Sequence, residues 1–277
     1  MANLEKILSQ PEEKETGLQV WLETIESNWQ DIPELEVPEG KLQHLAIICD
    51  GNRRAAREKN LSPYFGHRAG VEVIRGVARA CRQWQIHTLT FWTWSTENWK
   101  RDRKQIGYVM DLAARFLRDS ELKGELVDNE VRFKHLGRKD RLPPGVKQAL
   151  DDLERETRSF DRYRLNLAMD YGGADELARA AVELHYLMRD GRLKPEELLK
   201  DSSLILNCLD TRGQPNPALV IRTGVKEGEI PHTSGFMPLQ SGYACWEFVP
   251  DLFPNLTPQR LLESANNFIG YERRFGR

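Results

Sequence analysis

An aspartate, a glycine, an asparagine and two arginines stand in a row at Asp50, Gly51, Asn52, Arg53 and Arg54, directly behind the apolar run HLAIIC at 44–49. Each type has a use beside a phosphate. Glycine lets the backbone approach a ligand closely. The free N–H groups at the start of a following helix point at anions. Arginine forks donate charge-assisted hydrogen bonds to phosphate oxygens, each worth roughly 1.5–3 kcal/mol. A carboxylate repels phosphate, so Asp50 among arginines suits a magnesium ion that bridges to the phosphates. Two further segments pair arginine with small polar groups: Ser95, Thr96, Glu97, Asn98, Trp99 and Arg101, and then Arg222, Thr223 and Gly224. Taken singly, each has a plainer reading. DGN is a common turn, the ENW segment with its basic neighbours is a solvated helix start, and GHRAG at 66–70 is a turn around a satisfied histidine. Together they are specific if the fold brings them to one edge.

The elements supply that edge. Strand-like segments at 44–50, 87–94, 131–137, 163–171, 218–224 and 242–249 alternate with helical spacing at 70–84, 103–119, from Pro143, at 174–188 and after Thr257-Pro258. The alternation predicts an α/β fold, a mostly parallel central sheet with helices on both faces. Ligands of such sheets sit at the carboxyl ends of the strands. DGNRR, STENWKR, DYGG and RTG all fall there. Residues 1–40 read as an acidic extension before a main domain at 41–277, joined by the proline-containing DIPELEVPEG. Trp21, Leu22, Ile25 and Trp29 have the spacing of an amphipathic helix docked on that domain.

The 277 residues are 40% hydrophobic and 30% charged, enough for a sizeable core. A formal net charge of −2 gives no overall basic field, so a nucleic-acid partner is not expected and anion binding must be local. Cys49, Cys81, Cys208 and Cys245 form no CxxC pair and no metal-ligand spacing, and Cys49 reads as a small buried thiol. The first residues lack the apolar region of a secretory signal, and no run approaches a membrane span. These features predict a soluble protein of the reducing cytoplasm.

Five segments, HLAIICDGNRR…FGHRAG, LTFWTWSTENWKR, LGRKDRLP, NLAMDYGGADEL and LVIRTG, resemble in order and spacing the motif set of the cis-prenyltransferases. These are the isoprenyl diphosphate synthases that include undecaprenyl diphosphate synthase. The resemblance begins near residue 43 and leaves the first forty residues outside it. It implies condensation of isopentenyl diphosphate onto an allylic prenyl diphosphate, giving a cis-polyprenyl diphosphate that grows into a hydrophobic tunnel. By resemblance, Asp50 is the catalytic, magnesium-binding aspartate. Gly51, Asn52, Arg53, Arg54 and His67 hold the allylic diphosphate. Ser95, Thr96, Glu97, Asn98, Trp99 and Arg101 form the second substrate-binding segment, with Asn98 catalytic and the Trp99 ring beside the allylic substrate. Arg222 belongs to the isopentenyl diphosphate site, where His232 and Ser234 take the places of the family's RxS arginine and serine. The resemblance further implies a homodimer through the C-terminal region and peripheral membrane contact for product release.

The chain also departs from the pattern. Ala55 stands where the family keeps a tryptophan, and Pro63 where many members carry an arginine. The segment Arg222–Gln240 is four residues longer than its counterpart. Cys245 replaces a glutamate that serves as a metal ligand in the family, and Glu247 lies two residues on, on the same face of a strand. Two alternatives follow from the altered second site: a non-catalytic partner subunit of the same fold, or irregular coupling of two allylic diphosphates. The bulky strand LTFWTWS either lines the tunnel and shortens the product or simply packs Trp92 and Trp94 under a helix.

Overall fold

A computed structural model describes residues 11–271. Six strands form one all-parallel sheet: β1 (His44–Ile48), β2 (Thr88–Ser95), β3 (Val131–Leu136), β4 (Tyr163–Tyr171), β5 (Leu219–Arg222) and β6 (Cys245–Phe248). Their spatial order is β3-β4-β2-β1-β5-β6. Before β1 lies helix α1 (Pro11–Asn28); α2 (Asn52–Glu58) and α3 (Phe65–Gln83) join β1 to β2. Helices α4 (Arg103–Arg118) and α5 (Ser120–Asp128) lead to β3, α6 (Pro144–Thr157) to β4, and α7 (Gly173–Arg189) with α8 (Pro195–Lys200) to β5. Helix α9 (Pro258–Gly270) follows β6.

Covering on both faces explains why β1 and β2 are nearly continuous apolar runs rather than alternating ones. Leu45, Ile47, Phe91, Leu167 and Ile221 face a large core shared with α3, α4 and α9. Ala46, Ile48, Trp92, Ala168 and Val220 face the other way, against Tyr171, Phe236 and Met237. The Tyr171 hydroxyl donates to Glu176 of α7 at 2.5 Å, which ties that helix to the second face. Simple alternation would put Trp92 and Trp94 on one face. A register shift against β4 separates them, as a bulge does. Trp92 stacks on Phe236 with centroids 5.0 Å apart, while Trp94 turns into the large core.

Local signals set the helix limits. Asp102 accepts from the Gln105 amide and opens α4. Asp119 accepts from the Glu121 and Leu122 amides, so the helical run after residue 103 breaks into two helices. Helix α3 begins at Phe65, which places GHRAG within its first turns rather than in a turn before it.

The second face also buries a polar chain. Asn166 Nδ2 donates to Thr90 Oγ1 at 2.9 Å, and the Thr90 hydroxyl meets His44 Nε2 at 2.7 Å. His44 Nδ1 meets the Pro215 carbonyl at 2.7 Å. The carbonyl can only accept, so Nδ1 carries the proton and Nε2 accepts from threonine. Every member of the chain is then satisfied.

Helix α1 packs along α3 through Trp21, Leu22 and Ile25, and Trp29, just past its end, lies against Gly76 of α3; all four are buried. Farther on, Trp84 Nε1 donates to the Pro33 carbonyl at 2.8 Å, pinning the connecting segment beside the end of α3. Trp29 is 1% exposed. Trp29→Ala should therefore cost about 3–5 kcal/mol. Urea unfolding checks this; a loss under about 1 kcal/mol would mean that α1 is not part of the cooperative core.

Candidate active site

Because β1 lies between β2 and β5, three strand ends distant in sequence become neighbours. Helix α2 starts at once behind β1. Gly51, at φ 105°, makes the turn, and a Cβ there would lie 2.8 Å from the Leu252 side chain. The Asp50 backbone is fixed from two sides. Its N–H donates to Thr223 Oγ1 at 3.0 Å, and its carbonyl accepts from the Phe253 amide at 2.9 Å. The carboxylate then meets two arginines. Oδ1 accepts from Arg54 at 3.2 Å and Oδ2 from Arg222 at 3.1 Å.

These groups border a cleft of about 340 Å³, whose walls carry Arg53, Arg54, Arg57, Arg101 and Arg222 against two carboxylates, Asp50 and Glu97. Gly51, Asn52, His67, Ser95, Asn98 and Ser234 also line it. Arg57 escaped the sequence reading. It lies one helical turn beyond Arg53, and an i, i+4 search along α2 would have found it. Ser95 N–H donates to Asn98 Oδ1 at 3.1 Å, so what Asn98 offers a ligand is its NH2 group.

Three sequence candidates do not line the cleft. Thr96 lies against Gly172. Trp99 donates through Nε1 to Asp170 Oδ1 at 2.7 Å and sits edge-on to Trp94. The tryptophans that border the cleft are Trp92 and Trp94. His232 supports Arg222 from outside: Arg222 donates to the His232 carbonyl at 2.8 Å and to Ser234 Oγ at 2.7 Å. Cys245 and Glu247, on β6, also lie away from the cleft of this chain.

A second cavity of about 70 Å³ opens behind the first, between α3, α4 and the sheet, walled by Val71, Ile74, Val109, Leu112 and Phe116. Cys49, Asn52, His67, Thr93 and Trp94 border both spaces. Three buried polar atoms at that shared neck have no hydrogen-bond partner: Asn52 Oδ1, His67 Nε2 and Trp94 Nε1. Buried polar atoms are ordinarily paired, and orphans at a cavity call for a ligand or water.

The crowding of cations shows in the titration. Arg101 is pulled down to about 10 by burial first and by Arg53 next, with Asp50 opposing. His67 is lowered to about 4 by burial, then by Arg101 and Arg53, so its ring is neutral near pH 7. Among the described residues no three His, Cys, Asp or Glu groups cluster as a metal cage. Asp50 fits magnesium in its other common mode, through one or two carboxylates with the remaining positions filled by water and phosphate oxygens.

Guanidinium groups at one end and an apolar slot behind them suit a ligand charged at its head and greasy along its tail, and define an α/β enzyme that handles prenyl diphosphates. Comparison with known proteins agrees. A family model described as "Putative undecaprenyl diphosphate synthase" matches residues 48–276. A tritrans,polycis-undecaprenyl-diphosphate synthase (geranylgeranyl-diphosphate specific) of Thermococcus kodakarensis is 37% identical over 241 residues, covering 85% of this chain and 87% of that protein. An isoprenyl transferase of Thermus thermophilus is 36% identical over 248 residues, covering 87% and 92%. The crystal structure of lavandulyl diphosphate synthase from Lavandula x intermedia in complex with dimethylallyl diphosphate superimposes with a TM-score of 0.77 at 28% identity, over 85% of this chain and 98% of that one. The chain belongs to the cis-prenyltransferase family.

His44 is lowered to about 4 and His135 is lowered too, both first by burial. With His67, three histidines stay neutral in the fold while their unfolded counterparts titrate near 6.5. Below about pH 6.5 the unfolded chain thus binds more protons than the folded one, and stability falls as pH falls. Urea midpoints should be level above about pH 7 and decline between about 6.5 and 5, a window above the carboxylate range. A flat midpoint across that window would contradict the neutral assignment.

Proposed function

We propose that the protein condenses isopentenyl diphosphate onto an allylic prenyl diphosphate in this cleft, with magnesium at Asp50. The observation that carries the reading is Asp50 held between Arg54 and Arg222, in front of a neck with three unpartnered polar atoms and an apolar slot behind. Arg53, Arg54 and Arg57 hold the allylic diphosphate on the N-terminal turns of α2, aided by Gly51, Asn52 and His67. Arg222, positioned by His232 and Ser234, takes the second diphosphate. Ser95, Glu97, Asn98 and Arg101 close the cleft from the β2 side, and Thr96 and Trp99 support them from behind.

The chemistry follows from where charge develops. As the allylic carbon–oxygen bond breaks, negative charge grows on the departing diphosphate. Guanidinium groups already fixed around that position stabilise it without reorganising. Magnesium, when bound, neutralises further charge on the same oxygens. The neutral ring of His67 and the NH2 group of Asn98 offer uncharged polar contacts beside the carbocationic centre, so no additional cation opposes ionisation. The apolar slot between α3 and α4 receives the hydrocarbon and keeps water from the carbocation.

We place the chain in the cytoplasm, as a homodimer with peripheral membrane contact for product release. No helix among the described residues is long and apolar enough to cross a membrane. Edge strand β6 is half-buried along its length, its Trp246 and Phe248 rings stack, and Tyr243 beside it is 84% exposed. Such an apolar edge supports a partner in the C-terminal region.

Purified protein incubated with farnesyl or geranylgeranyl diphosphate and labelled isopentenyl diphosphate should form longer labelled products only with magnesium. Asp50→Ala should lower the rate by at least roughly 10²–10³ while the fold survives. Product from dimethylallyl diphosphate alone would favour irregular coupling. No product in any arm would favour a non-catalytic subunit.

A further inference from the structure

Two of the motifs, LGRKDRLP at 136–143 and the DYGG of β4, contribute no residue to the cleft lining, yet they meet at one atom group. Asp170, the last residue but one of β4, has a fully buried side chain and a left-handed backbone, φ 52°. Its Oδ1 accepts from Trp99 Nε1 at 2.7 Å and from Arg141 at 2.5 Å. Its Oδ2 accepts from Arg141 Nε at 2.8 Å, which completes a forked pair.

The loop that brings Arg141 is itself pinned. Arg138 N–H donates to the Asp170 carbonyl at 3.1 Å, and Gly137 N–H to Asp210 Oδ2 at 2.8 Å. Gly137 has φ 114°, and a Cβ there would lie 2.6 Å from the Met169 carbonyl oxygen, so any side chain would push the loop off the strand end. On the other side, the Trp99 ring meets Trp94 edge-on at 5.7 Å, and the Arg101 guanidinium lies 5.2 Å from the Trp94 centroid. Trp94 borders both cavities, and Arg101 borders the cleft.

We infer that Asp170, locked by Arg141, is a positioning residue: it anchors the Trp99 indole and thereby sets the Trp94 ring and Arg101 at the neck where head and tail of the substrate divide. The role rests on the prenyl-transfer reading of the cleft. Asp170 touches no substrate. The Asp170 carboxylate is fully buried while the Arg141 side chain is 39% exposed, and a pair open to water on one side is a poor device for stability alone. It does fix direction: one carboxylate binds the indole and the guanidinium at set angles. A backbone in the sparsely used left-handed region at the same residue is a further constraint that persists only where the surroundings enforce it. A misplacement of about 1 Å at a reacting site can cost roughly a hundredfold in rate.

The test uses the full chain, 15N-labelled at tryptophan indoles, with the Trp99 resonance assigned from Trp99→Phe. In the wild type that indole proton should exchange slowly with solvent. Asp170→Asn and Arg141→Gln should shift it and speed its exchange, and Trp99→Phe should shift the Trp94 resonance. In turnover, Asp170→Asn and Trp99→Phe should each lower kcat with the allylic substrate by roughly 10–100-fold, with the KM for isopentenyl diphosphate within about twofold. The double variant should be no worse than the poorer single one, because both break one linkage. A fast-exchanging Trp99 indole indifferent to Asp170→Asn would overturn the inference. So would fully additive losses, or unaltered turnover despite a broken bond. Trp99→Phe retains the ring, so the inference stays testable if Asp170→Asn fails to fold. The exchange measurement needs no turnover, and so succeeds or fails independently of the reaction assigned to the cleft.

Discussion

Five guanidinium groups lining one cleft against only two carboxylates, Asp50 and Glu97, are the constraint on which the rest of the structure depends. Like charges at such spacing repel, and without a ligand the repulsion is only partly met by Asp50, which divides its two oxygens between Arg54 and Arg222. Burial and Arg53 together draw Arg101 down to about 10, a measure of how strongly the site resists another positive charge. A multiply charged anion relieves all of this at once. The same field, with burial, keeps His67 neutral. An anion bound there would complete the electrostatics of the cleft.

Holding the arginines there requires a scaffold that does not yield. The sheet does this by ending three adjacent strands at one level and stitching them with main-chain bonds. Thr223, fully buried, accepts from the Asp50 amide, and Phe253 N–H closes on the Asp50 carbonyl. Farther out, Arg222 is steadied by His232 and Ser234 from the long 222–240 segment. Asp170 and Arg141 steady Trp99 from the opposite side. Arg222 in the cleft, and Trp94 at its neck, are thus backed by residues that do not line it.

Much of this was legible in the sequence, and the exceptions have physical reasons. Strand ends could be read because the apolar period changes there, so the sequence alone puts Asp50, Ser95 and Arg222 at one edge. The order β2-β1-β5 could not be read, since nothing local says which strands pair. The separation of Trp92 from Trp94 was hidden for a like reason: it depends on a register shift against β4, not on alternation within β2. The resemblance set the Trp99 ring beside the substrate; its indole here turns to a carboxylate 71 residues away, a contact that no local pattern announces. Arg57 was simply overlooked at helical spacing from Arg53. Helix α5 was missed because Asp119 caps a new helix without any glycine or proline to mark the break.

The account's central claim is that the arginines at the carboxyl ends of β1, β2 and β5 form the diphosphate site. Calorimetric titration of inorganic diphosphate into the metal-free protein tests it most directly, comparing the wild type with Arg54→Ala and Arg222→Ala. Binding that weakens roughly ten- to a hundredfold in each variant, as loss of one charge-assisted bond predicts, is the expected result. Diphosphate affinity unchanged in both variants would contradict it.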